Sequence, residues 1–349
     1  MFLKPTGLLL SYLCFVPATI YAQSPTPAAL PKDPVALLNL LGTKNGLDGT
    51  DVQPWHIRGS YSIYGSNGKL EDSGIYEEWW ASDKKYKRSF SSQKFTQVEY
   101  ADGNKLYRQG AQEWPSGDLL RMRTDLIEPV PDDSTVNSFK LDEYETSLGK
   151  GKAACVNFGY PMRPNLVVTP GTFPLICTEA NLPMVRITTT GRPYKVVHNQ
   201  IVAFQGHYLA RELKTFFADK PRVDLNLDTI QLLKDVPDSL FNPPIDAMAI
   251  DLTSIAFNRD MSKSYPILLR KDVPEYPQAA KQRRSQGTVV LKVTIGADGN
   301  VSDIQAVSGP YDLRKSAQDA VVRWRYRPLR VMGESRSVQI EVDVIYSLG

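Results

Sequence analysis

Nine residues near the end of the chain decide the fold of its C-terminal part: Val338-Gln339-Ile340-Glu341-Val342-Asp343-Val344-Ile345-Tyr346. Apolar side chains take every second position from Val338 to Tyr346, and Gln339, Glu341 and Asp343 lie between them. Successive side chains of a β-strand point to opposite faces of its sheet, so this alternation predicts a half-buried strand.

Two strands and two helices are predicted before this last strand. Residues 288–295 alternate in the same way, and residues 301–308 return as a second strand after a turn at Asp298-Gly299, a pair suited to hairpins. A short helix is expected after Pro277, and a longer one from Leu313 to Trp324 with Asp312 as its N-cap. This order predicts a three-stranded antiparallel sheet covered on one face by two helices.

Residues 265–349 resemble the TonB C-terminal domain family. The resemblance rests on several short motifs that follow one another in the family's order and spacing, of which the run 322–328 is the most specific. The residues that carry these motifs are Tyr276, Pro277, Gly287, Asp298, Gly299, Trp324 and Pro328.

The resemblance implies that the last strand binds a partner, either an outer-membrane transporter or another envelope protein. Members of the family couple the inner-membrane proton-motive force to such transporters, so a role in transport and energy transduction is implied. The partner would add an extended strand beside Val338, Gln339, Ile340, Glu341, Val342, Asp343 and Val344. Alternatively, the strand only completes the sheet, and its charged residues discourage unwanted pairing.

Residues 35–245 are predicted to form one mainly antiparallel β domain that is strongly curved or partly closed, like a half-barrel. Short alternating runs are separated by turn pairs such as Asn67-Gly68 and Asp102-Gly103, which is typical of consecutive hairpins. The pattern resembles the LolA/LolB-like lipoprotein carriers, so Trp79 and Trp80 could line a site for an apolar ligand. The alternative function is therefore a periplasmic lipid or lipoprotein carrier that uses its TonB-like part only for docking. The fold class is α+β.

The remaining segments point to export. Residues 1–22 combine a basic start, an apolar stretch and a small-residue cleavage site, which predicts a signal peptide and a periplasmic protein. A retained signal would instead anchor the chain in the inner membrane. Residues 23–34 form a proline-containing linker, and residues 246–264 are expected to connect the two domains. In an exported chain, Cys155 and Cys177 are expected to form a disulfide.

No pattern for catalysis or cofactor binding is present in the sequence. The three histidines lack metal-ligand spacing, and HExxH, GxSxG and P-loop patterns are absent. A net charge of +3 is too small to argue for nucleic acid. We therefore expect a non-enzymatic binding protein with no metal, no cofactor and no nucleic-acid partner.

Overall fold

The computed structural model describes residues 29–132, 139–148, 151–159, 175–179, 181–190 and 194–348. The expected signal peptide and the first half of the expected linker lie outside these residues. Helix α1 (Pro34–Lys44) begins the described structure, and the Asp33 carboxylate caps it by accepting a 2.8 Å hydrogen bond from the Ala36 amide. Within the described residues, no helix is long and apolar enough to cross a membrane.

A large open antiparallel sheet follows α1. Its strand order is β13-β5-β4-β3-β2-β1-β12-β11-β10-β9-β8-β7-β6, so β13 and β6 are its edges. The strands are β1 (Trp55–Tyr64), β2 (Leu70–Ser82), β3 (Lys85–Ser92), β4 (Thr96–Asp102), β5 (Lys105–Gly110), β6 (Lys140–Leu148), β7 (Gly151–Gly159), β8 (Leu175–Glu179), β9 (Leu182–Thr189), β10 (Tyr194–Phe204), β11 (His207–Phe217), β12 (Lys220–Leu232) and β13 (Met248–Ala249).

Two helices pack on this sheet. Helix α1 buries Leu37, Leu38 and Leu41 against an apolar cluster that includes Val156 and Phe158 of β7. Helix α2 (Gly117–Ile127) lies beside β11 and β12 and buries its apolar residues in the main core. Because a sheet must cover its apolar face with another element, these helices make the domain two-layered.

The C-terminal part forms a second, smaller sheet of order β14-β21-β16-β17. Its elements are β14 (Ile255–Ala256), β15 (Leu268–Arg270), α3 (Gln278–Gln282), β16 (Gly287–Ile295), β17 (Val301–Ser308), α4 (Tyr311–Val321), β18 (Arg325–Tyr326), β19 (Leu329–Val331), β20 (Glu334–Arg336) and β21 (Val338–Tyr346). Strands β21, β16 and β17 are the three predicted antiparallel neighbours. The difference from the expectation is β14, which adds a fourth strand in parallel to β21.

The segment 246–264 therefore does more than join two units. It supplies β13 to the edge of the large sheet and β14 to the edge of the small one. Phe257, immediately after β14, is buried and packs edge-on against Trp114, with the ring centroids 5.7 Å apart. Each sheet thus gains a strand from the segment expected to be only a connector.

The predicted cap of the longer C-terminal helix was wrong. Helix α4 has Pro310 at its N-cap position, and its final residue is Val321, three residues before the predicted end. The carboxylate of Asp312 instead accepts hydrogen bonds from the Ser285 hydroxyl at 3.0 Å and the Arg283 guanidinium at 3.1 Å. These charge-assisted bonds to the segment after α3 compete with capping.

One continuous core links the two sheets. Trp55, Tyr76 and Trp80 of the large sheet belong to the same apolar cluster as Leu329 and Met332 of the C-terminal part. Contiguous burial of this kind stabilises the two sheets jointly, because separating them would expose apolar surface on both.

Candidate partner-binding site

Strand β21 has one face in the core and one face outside it. The side chains of Val338, Ile340, Val342, Val344 and Tyr346 are all buried. Gln339, Glu341 and Asp343 are half-buried on the opposite face, and Ile345 is 72% exposed. The alternation predicted from the sequence is therefore present in the fold.

The two edges of β21 differ. One edge pairs along its whole length with β16, from Val338 opposite Ile295 to Tyr346 opposite Gly287. The other edge pairs with β14 only at Val338 and Gln339, and the Phe257 amide donates a 2.8 Å hydrogen bond to the Gln339 carbonyl. Among the described residues, no strand pairs with this second edge beyond Gln339.

A side chain from the segment after β14 also reaches across this second edge of β21. The guanidinium of Arg259 donates two hydrogen bonds to Oδ2 of Asp343, at 3.0 and 2.8 Å. This contact raises the pKa of Arg259 through the hydrogen bond and the Coulombic attraction of the carboxylate. The sequence singled out Asp343 but gave no sign of Arg259, which lies 84 residues away along the chain.

The motif residues of the C-terminal part have structural roles. The Trp324 indole donates a 2.9 Å hydrogen bond to the Asp272 carbonyl, and the Tyr276 ring packs edge-on against Tyr346. Gly299 has a φ of +79°, and an added Cβ would lie 2.1 Å from the Tyr326 carbonyl oxygen, so only glycine fits there. These motif residues support β16, β17 and β21, and none of them belongs to β21 itself.

Residues 272–348 match the model of the Gram-negative bacterial TonB protein C-terminal family. The expected resemblance is confirmed for this part of the chain, which we call the TonB-like domain. Protein TonB of Xanthomonas campestris pv. campestris is 34% identical over 77 residues, which are 22% of this chain and 34% of that protein. The chain spans about a third of the length of the curated relatives it matches.

Two solved structures are similar to stretches of this chain. The solution structure of the Pseudomonas aeruginosa TonB C-terminal domain is 28% identical, with a TM-score of 0.20, and the match covers 23% of this chain and 84% of that one. A crystal structure of a LolA superfamily protein from Nitrosomonas europaea is 10% identical, with a TM-score of 0.39, and the match covers 60% of this chain and 97% of that one.

The expected disulfide is present. Cys155 of β7 and Cys177 of β8 lie directly opposite each other on neighbouring strands, with their Cα atoms 4.1 Å apart, and their sulfurs are bonded. Both side chains are buried. The bond therefore cross-links two adjacent strands of the large sheet.

Trp79 and Trp80 lie on opposite faces of β2 and do not form a common surface. Trp80 is in the core, stacked on Trp55 with a centroid separation of 5.7 Å. Trp79 stacks on His56 at 4.7 Å on the other face. The cavity beside Trp80 has a volume of about 60 Å³, and its lining includes Arg88, Arg123 and residues 329–333 of the TonB-like domain. In the described residues, the TonB-like domain borders this space, and the cavity that remains is small for an acyl chain.

A buried ionic cluster, which was not predicted from the sequence, lies beside this cavity. The carboxylate of Glu78 is fully buried and accepts paired hydrogen bonds from both Arg88 and Arg123, at 2.9 to 3.1 Å. Burial alone would raise the pKa of Glu78, but the two guanidinium groups outweigh it and lower the pKa to about 2. Glu99 extends the cluster by pairing with Arg88 and with the buried Arg108.

The sequence held only one sign of this cluster. Glu77 and Glu78 are adjacent in a strand, so one of the two carboxylates had to face inward. Glu77 lies on the outer face and binds the His56 ring at 2.8 Å. Arg123 comes from α2, and its meeting with β2 is a tertiary contact that the local pattern does not encode. The cluster supports the fold through four carboxylate–guanidinium pairs, while Nη2 of the buried Arg108 has no hydrogen-bond partner among the described residues.

Proposed function

We propose that this chain is a periplasmic, non-enzymatic envelope protein whose TonB-like domain binds an extended segment of a partner by β-strand pairing. The partner we propose is an outer-membrane transporter or another envelope protein, which gives the chain a role in transport across the envelope. The supporting observation is the edge of β21 that lies opposite β16 and pairs with β14 only as far as Gln339.

The main-chain groups available on this edge follow from one hydrogen bond. The Gln339 carbonyl points outward, because it accepts from the Phe257 amide. In an antiparallel pair, the amide and carbonyl of one residue point to the same side, and the side changes with every residue. Glu341, Asp343 and Ile345 therefore direct their amides and carbonyls outward, whereas those of Ile340 and Val342 bond to β16.

An incoming strand would bond to these outward groups. Its affinity would come mainly from the main chain, and its register from the alternating side chains. Of the residues predicted to bind the partner, Val338 and Gln339 already pair with β14. We therefore place the partner strand beside residues 341–345, a shorter site than the sequence predicted.

Binding can be tested with synthetic 12-residue peptides tiled across the N-terminal periplasmic segments of the outer-membrane transporters of the source bacterium. We expect at least one peptide to bind the full chain. Replacing Glu341 by proline removes one outward amide without removing a bond to β16, so Glu341→Pro should weaken binding at least tenfold. Titration calorimetry would measure the affinities.

The matched control is Glu341→Ala, which removes the same side chain and keeps the amide. It should bind within about threefold of the unchanged chain, since the proposed hydrogen bonds are made by the main chain of Glu341 and not by its side chain. Thermal unfolding of both variants verifies that the sheet is intact. Equal affinities for the proline and alanine variants would contradict strand pairing, and a lack of binding by every peptide would contradict the transporter assignment.

A further inference from the structure

A groove runs between the free edge of β21 and the large sheet. Its volume is about 250 Å³. Glu341 and Asp343 of β21 and Trp324 line one side, and Arg121, Tyr194 and Phe217 from the large-sheet part line the other. We call this space the intersheet groove. It begins where the pairing between β14 and β21 ends.

The β21 side of the groove is suited to an extended chain. The outward main-chain groups of Glu341 and Asp343 face it, and neighbouring strands lie about 4.8 Å apart. Strand β14 already shows that this edge accepts a parallel strand, through the Phe257-to-Gln339 hydrogen bond. After β14 the chain itself borders the groove with Arg259, Ser262 and Lys263, so a peptide beside Glu341 and Asp343 would lie against this segment.

The opposite wall is held rigidly. The Tyr194 hydroxyl donates to Asp118 at 2.6 Å and also contacts the Ser264 hydroxyl at 3.1 Å, and the Arg121 guanidinium stacks over the Tyr194 ring at 3.9 Å. Phe217 packs edge-on against the same ring at 5.4 Å. Phe217 nevertheless remains 39% exposed, so an aromatic ring in a fixed position is presented to the groove.

The charged residues that line the groove sum to zero once Asp125 and Asp260 are included, with Lys271 and Glu341 adding one charge of each sign to three ion pairs. Arg121 pairs with Asp125 at 3.1 Å, Arg259 with Asp343 at 2.8 Å, and Lys263 with Asp260 at 2.7 Å. A charged peptide would therefore gain little from these neutralised pairs. Burial of an apolar side chain against Phe217 would contribute more, since large aromatic rings dominate the energetics of peptide interfaces.

We propose that the intersheet groove binds an extended, uncharged peptide segment that pairs with β21 and places a bulky apolar side chain against Phe217. The large-sheet part thereby selects the partner together with the TonB-like domain. This inference rests on strand pairing at β21 as proposed above, and it adds the second wall and the apolar chemistry of the ligand.

The test uses the full chain and a phage-displayed library of random 12-residue peptides, from which enriched peptides are synthesised and titrated. We expect enriched sequences that are poor in charge and contain a bulky apolar residue. Phe217→Ala should weaken their binding at least tenfold, and Phe217→Leu should restore part of the loss. Leu232→Ala is the matched control, because Leu232 is 40% exposed at the end of β12 and is not among the groove-lining residues; it should change binding less than twofold.

The outcomes separate this inference from strand pairing itself. If Glu341→Pro abolishes binding but Phe217→Ala behaves like Leu232→Ala, strand pairing stands and the second wall is refuted. If neither change matters, or if no peptide is enriched, both ideas are refuted. Library peptides could bind, with their binding weakened by both Glu341→Pro and Phe217→Ala, while no transporter peptide binds. In that case the groove proposal stands and the transporter assignment fails. Thermal unfolding of each variant distinguishes lost binding from lost structure.

Discussion

At the scale of single residues, Glu78 is the side chain whose surroundings differ most from those of a free amino acid. It is fully buried, and two guanidinium groups hold its pKa at about 2, below its ordinary value of 4.5. Removing one member of a buried ionic cluster leaves the remaining charges unpaired and typically costs about 3–5 kcal/mol. We therefore expect Glu78→Gln to lower the free energy of unfolding at pH 7 by about that amount, measured by denaturant titration.

The pH dependence provides an independent check on Glu78. A carboxylate whose pKa is lowered by folding stabilises the fold above its unfolded pKa, and the stabilisation is lost as the pH falls through its folded pKa. The difference between the unchanged chain and Glu78→Gln should therefore shrink as the pH falls from 4.5 towards 2. Glu77→Gln is the matched control on the same strand, with an expected loss below about 1 kcal/mol. Equal losses for the two variants would contradict this account.

At the scale of elements, the disulfide joins β7 to β8 across directly opposite positions. Its residues are separated by 22 positions, and closing a loop of that length stabilises a fold by about 3 kcal/mol in the chain-entropy model. We expect the double variant Cys155→Ala with Cys177→Ala to unfold at a lower denaturant concentration. Its free energy of unfolding should be lower by about 2–4 kcal/mol. Added reductant should lower the free energy of unfolding of the unchanged chain and leave that of the double variant unchanged. A reductant effect on the double variant would refute this assignment.

Elements with a clean alternation were predictable from the sequence, whereas those decided by partners were not. The predicted turn pairs Asn67-Gly68 and Asp102-Gly103 join β1 to β2 and β4 to β5, and the alternating residues 338–346 form β21. Strand β6 was missed because Asp142 and Glu143 interrupt its alternation, although charged residues are common on edge strands. Strand β14 has only two residues, and its pairing with β21 depends on a neighbour 83 positions away. Strand β14 is extended because it pairs with β21.

At the scale of the whole molecule, the two sheets are joined by contacts that no local pattern reveals. Arg327 lies in the motif run 322–328, yet its guanidinium donates hydrogen bonds to the carbonyls of Glu128 and Val130, at 2.6 and 3.3 Å. It also donates to the Glu128 carboxylate at 3.3 Å. Positive charge is favourable just after a helix C-terminus, and α2 ends at Ile127. A residue recognised as a family motif thus fastens the TonB-like domain to the large-sheet part.

These hydrogen bonds of Arg327 predict that the two sheets unfold cooperatively. Arg327 is only 11% exposed, so Arg327→Ala would leave buried carbonyls and the Glu128 carboxylate with fewer partners, at a cost of about 2–4 kcal/mol. The two sheets share one core, so we expect the unchanged chain to unfold in a single transition. Because the bonds lost in Arg327→Ala lie between the two sheets, we expect that variant to show two transitions in calorimetry, with the TonB-like domain unfolding separately. Arg327→Lys should restore little of the stability lost in Arg327→Ala, since an ammonium group cannot reproduce the planar set of donors of a guanidinium. The matched control is Arg325→Ala, whose guanidinium, within the part of the chain that the structure describes, donates hydrogen bonds to the Trp324 and Val322 carbonyls of its own domain. That variant should keep one transition; if it split as well, or if Arg327→Ala kept one transition, Arg327 would not be what couples the two sheets.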